Sequence, residues 1–127
     1  MLVINNYDKS IYCTRGDVGT IKTCIRRPNG ELYTFSPGDV VRFRVFKKRR
    51  YDKTVLLKDI TVKEATDTVR FSLSKEDTTI GDSINIPVEY CYEMELNPDT
   101  APQTFIGHDE DGAKVFKLFP GGVNIYE

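Results

Sequence analysis

Apolar and polar residues alternate along most of this chain, in short runs broken by clusters of Gly, Pro, Asn or Asp. Alternation with period two places every second side chain on one face of a sheet, so each run reads as a half-buried strand. Ser10–Thr14 predicts a first strand and Val18–Arg26 a second, with Ile21, Thr23 and Ile25 in one phase. The Asn29-Gly30 pair then supplies turn chemistry, because both residues tolerate positive φ. Glu31–Phe35 predicts a short strand and Val40–Phe46 a longer one, with Val41, Phe43 and Val45 facing inward and Arg42 and Arg44 outward. Val55–Val62 and Asp67–Leu73 continue the series.

Ser74 followed by Glu76 and Asp77 resembles an N-cap and one helical turn, the single helix expected here. Ile86–Leu96 is the longest alternating run. Val88, Tyr90, Tyr92, Met94 and Leu96 line one face, and Glu89, Cys91, Glu93 and Glu95 the other. The charged face predicts water on that side, hence an antiparallel, one-sided sheet. Asp109–Gly112 predicts a hairpin turn between Phe105-Ile106 and Val115-Phe116, and Val123–Tyr126 a final strand. About seven to nine short strands at this spacing predict an all-β, immunoglobulin-like antiparallel β-sandwich forming one domain over residues 1–127.

Composition changes this picture little. With 127 residues, 39% hydrophobic and 29% charged, the chain can bury a core without staples. Eighteen basic against nineteen acidic residues give a net charge of −1, which argues against bulk polyelectrolyte binding of nucleic acid. Cys13, Cys24 and Cys91 show no Cys-x-x-Cys spacing and read as small buried hydrophobes in a reducing cytoplasm. The start, Met1–Tyr7, does not read as a signal peptide, and no stretch approaches a membrane span.

Four features invite a chemical reading. Arg15-Gly16-Asp17 spells a receptor-recognition tripeptide, but Gly and Asp there also make an ordinary turn between strands. Arg42, Arg44, Lys47, Lys48, Arg49, Arg50 and Lys53 form the strongest charge feature. All of these but Lys53, with Glu89, Glu93 and Glu95 as a possible counterpart, are the candidate subunit-contact surface. A single-stranded nucleic acid stacking on Phe46 and Tyr51 is the lesser alternative. His108 is the sole histidine and sits in a predicted exposed turn, so no catalytic residue, metal site or cofactor is expected. Asp109–Gly112 lacks the ligand pattern of a calcium loop. Tyr7, Tyr12, Tyr33, Tyr51, Tyr90 and Tyr92 would have to share one concave face to hold carbohydrate.

The order of these motifs is itself informative. Tyr12–Ile21, Asn29-Gly30 and Pro37–Val45 come first; Lys75–Thr78, Tyr90–Leu96 and the Asp111-Gly112 turn follow. As an ordered set they resemble the N-terminal domain of phage baseplate upper proteins and related small tail or baseplate proteins of prophages in Gram-positive bacteria. The resemblance implies an immunoglobulin-like sandwich and a non-enzymatic, adaptor-type role in virion assembly. Its partners would be other tail or baseplate proteins, with self-association possible. The implied location is the virion, after synthesis in the host cytoplasm. Members of that family usually continue into helical and receptor-binding regions. This sequence ends after the sandwich, so a stand-alone structural subunit is expected rather than direct host recognition.

Overall fold

The computed structural model describes residues 1–121. It contains nine strands and one helical turn in the order β1 (Leu2–Ile4), β2 (Ile11–Thr14), β3 (Gly19–Thr23), β4 (Val40–Phe46), β5 (Thr54–Thr61), β6 (Val69–Leu73), α1 (Lys75–Thr78), β7 (Val88–Leu96), β8 (Gln103–Ile106) and β9 (Lys114–Phe119). The expected strand at Val123–Tyr126 lies outside the described residues.

The fold is an all-β sandwich. A seven-stranded sheet runs β1-β2-β9-β7-β4-β5, with β8 also paired to β7, and a two-stranded sheet, β3-β6, covers its inner face. All pairings are antiparallel except β2 against β9, where Ile11 lies opposite Phe116 in parallel register. The alternation sorts the side chains as expected. Val41, Phe43, Val45, Tyr92 and Met94 of the large sheet meet Ile21, Val69, Phe71 and Leu73 of the small one. Phe43 sits at the centre with no exposed surface, its ring centroid 5.7 Å from Phe71, 5.6 Å from Tyr92 and 6.2 Å from Phe116.

Helix α1 forms where the Ser-x-x-Asp pattern places it. Ser74 accepts from the Asp77 backbone N–H while the Asp77 carboxylate accepts from the Ser74 N–H, so two orphan donors are satisfied reciprocally. Among the described residues no helix is long and apolar enough to cross a membrane.

Three local expectations fail for physical reasons. Glu31–Phe35 makes no continuous ladder; Leu32 bridges Arg26 and Phe35 bridges Thr66 in isolation. Tyr33 N–H donates to the Ile25 carbonyl at 2.7 Å, and its hydroxyl donates to Asp39 at 2.8 Å. The turn before it centres on Pro28-Asn29 rather than Asn29-Gly30. Gly30 N–H donates to the Arg27 carbonyl, and Gly30 alone takes positive φ, at 89°. Finally, β8 and β9 do not form a hairpin with each other. Both pair antiparallel with β7, β8 against Met94–Leu96 and β9 against Val88–Tyr92. They share one flank of β7, end to end, separated by an excursion over residues 107–113.

Candidate functional site

The two strongest charged runs in the sequence meet on one sheet face. Antiparallel pairing of β4 with β7 sets Arg42 opposite Glu95 and Arg44 opposite Glu93, and pairing with β5 sets Asp59 on the far side of Arg42. Arg42 grips Asp59 in a fork, with Nε 2.8 Å and Nη2 2.9 Å from the two carboxylate oxygens. Bonding to Asp59 outweighs burial and raises the Arg42 pKa. Arg42 is therefore answered within the chain by Asp59.

Glu93 departs most from expectation. Its phase predicts a wet side chain, yet it is 3% exposed. Arg50 Nε lies 2.9 Å and Arg44 Nη1 3.5 Å from its oxygens, and both guanidinium groups roof it over. The excursion after β8 closes another side. A Cβ on Gly107 would come within 2.8 Å of Thr104 Cγ2 and 3.6 Å of Glu93 Cβ, so glycine permits that approach. Glu95 is partly buried, and burial first, then the neighbouring Glu93 charge, pushes its carboxyl above the ordinary 4.5.

Arg44 also fixes the turn that follows β4. Its Nη2 donates to the carbonyls of Arg50 at 2.6 Å and Asp52 at 2.9 Å, and its Nε to Thr54 Oγ1 at 2.6 Å. The guanidinium lies over the Phe46 ring, 4.8 Å from the centroid. Asp52 ties the turn from inside, accepting from the backbone N–H groups of Lys48 and Arg49 at 3.0 and 2.9 Å. Those bonds lower its pKa. The basic turn is thus a braced structure rather than a loose loop.

The nine candidate contact residues divide accordingly. Arg42, Arg44, Arg50, Glu93 and Glu95 form an interlocked strip, and Glu89 sits 4.0 Å from Lys117 at its edge. Lys47, Lys48 and Arg49, with Lys53 beside them, are exposed and make no ion pair among the described residues. Only the period-two match of Arg42/Arg44 with Glu93/Glu95 hinted at this division.

Other candidates resolve more simply. Arg15 bends back so that Nε donates to the Ile80 carbonyl at 3.1 Å and Nη2 to that of Gly81 at 2.6 Å, while Asp17 pairs with the amino terminus. The tripeptide is a turn tied into the fold. His108 is exposed, and among the described residues no group of three His, Cys, Asp or Glu gathers as metal ligands. Of the thiols, which are all free, Cys13 is buried as expected, but Cys24 lies exposed beyond β3 and Cys91 is half-buried. The tyrosines do not share a face: Tyr92 is 1% exposed in the core, whereas Tyr7 is 98% exposed in the loop after β1. Comparison with protein-family models, curated proteins and solved structures finds no match.

Proposed function

We propose that this chain is a non-enzymatic structural subunit of a phage or prophage tail or baseplate, an adaptor that works through protein–protein contacts. One observation carries the reading: Lys47, Lys48, Arg49 and Lys53 stand exposed on a braced turn beside the charged sheet face, where a neighbour can reach them. The ordered motif resemblance supplies the assembly to which such a subunit would belong. On this reading the chain is made in the host cytoplasm, acts in the virion, needs no cofactor, and can also contact its own copies through sheet edges.

The test is to tag the chain in its native host, induce the prophage and band the released particles on a density gradient. The tagged chain should co-sediment with tails, and its deletion should yield tails with an incomplete baseplate. Recovery wholly in the soluble fraction, with normal tails after deletion, refutes the proposal. The carbohydrate alternative gains no support from the dispersed tyrosines, and a glycan array would expose it if it were correct.

A further inference from the structure

The turn over residues 47–53 is a ridge between two clefts. Lys48 and Arg49 line both. The first cleft, of about 650 Å³, has Val88 and Tyr90 in its wall and Lys47 and Lys53 beside them. The second, of about 510 Å³, runs between the turn and the excursion after β8; Phe46 and Tyr92 line it, with Arg50, His108 and Lys114 around them. Arg50 and Lys114 are already paired, with Glu93 and Asp109. Among the described residues, the cations lining these clefts that make no ion pair are Lys47, Lys48, Arg49 and Lys53 on the crest, whereas His108 is neutral at pH 7.

We infer that this ridge is the docking point for an acidic segment of a partner protein, its carboxylates on Lys47, Lys48, Arg49 and Lys53 and an apolar side chain between them in the Val88–Tyr90 cleft. The inference rests on the structural-subunit reading and names the chemistry of its partner. Charge complementarity selects the occupant. Among the described residues Lys47, Lys48, Lys53 and Arg49 make no ion pair, Arg49 bonding only the Tyr51 hydroxyl, and they stand on a turn that Arg44 and Asp52 have already fixed, so the turn backbone need not order on docking. A nucleic-acid strand fits less well. Its backbone carries a charge at every residue, and some phosphates would face Glu89, which lines the first cleft with its side chain 64% exposed. Tyr51, beside the cations, is occupied by Arg49, whose guanidinium lies 5.1 Å from its ring centroid. A peptide can space its carboxylates to avoid Glu89.

The experiment uses the full chain and two fluorescein-labelled probes, a peptide alternating Glu and Leu and an oligothymidylate of equal length, followed by anisotropy at low and moderate salt. Three variants are compared with the parent: K48E/R49E, the milder K48A/R49A, and K22E/R70E. The last makes the same charge change on exposed positions of the β3–β6 sheet. The peptide should bind the parent, K48E/R49E should weaken it by about tenfold or more, K48A/R49A by less, and K22E/R70E should leave it unchanged. Melting curves confirm that each variant is folded. Failure of the parent to bind the peptide, equal weakening by K22E/R70E, or an oligothymidylate affinity equal to the peptide's overturns the inference. Co-sedimentation with tails without peptide binding removes this inference alone. Peptide binding by a chain that never joins particles removes the assembly role instead.

Discussion

Glu93 occupies a position that would normally suit a hydrophobe. Removing a carboxylate from water is costly unless nearby charges and hydrogen bonds offset it, and here two arginines do so. Glu93→Ala would leave Arg44 facing a void. Because Arg50 is solvated and Arg44 keeps its carbonyl partners, we expect a loss of about 1–3 kcal/mol, below the full cost of breaking a buried pair. A lower urea midpoint with an unchanged slope would show this; an unchanged midpoint would show that the arginines merely lie over the strand. Alternation along β7 correctly gave the direction of this side chain but could not reveal what covers it, since Arg44 and Arg50 arrive from elsewhere in the chain. The cysteines carry the same lesson. Burial pushes the Cys13 thiol up to about 11, whereas Cys24 lies open to solvent. A thiol reagent at mildly alkaline pH should therefore label Cys24 first and Cys13 only after unfolding, as peptide mapping would report.

At the level of elements, α1 is tied to the large sheet by one carboxylate. Asp77 closes the capping box and lies 2.8 Å from Lys58 Nζ on β5. Burial alone would raise its pKa, but the Lys58 bond and the Ser74 bonds together outweigh it, and the carboxyl titrates below its ordinary 3.8. Its stabilisation is therefore complete above that value and is lost as pH falls through the lower folded one. Asp77→Asn should cost about 1 kcal/mol at neutral pH, and the gap between variant and parent should close in acid. Urea midpoints at neutral pH and in acid well below 3.8 check this; a gap that persists there would place the effect in packing. The cap was legible because its signal spans four adjacent residues. The relation of β8 to β9 was not. A Gly-containing acidic turn between two apolar runs looks like a hairpin locally, and only β7, contributed from earlier in the chain, shows that both runs lie along the same flank of one strand.

For the whole molecule, β5 is the outer edge of the large sheet, and its inner face reads Leu56, Lys58, Ile60 opposite Val45, Phe43 and Val41. A lysine among apolar residues on an edge discourages a second sheet from adding there. Lys58→Ile should keep the circular dichroism of the parent yet elute as larger species from a sizing column; elution at the parent's volume would mean that the edge is guarded by other features. The sandwich class was legible because strand spacing and phase are local properties. The order of strands was not, because it depends on partners far apart in sequence. The parallel pairing of Ile11–Thr14 with Phe116–Phe119 has a consequence for biosynthesis. The hairpin β1–β2 leaves the ribosome with one flank bare and must wait, open to proteases and chaperones, until β9 has been translated. Nascent chains arrested before Lys114 should be cut readily near Ile11, and released chains should resist. The molecule would then change from vulnerable to sealed in one step, when β9 arrives.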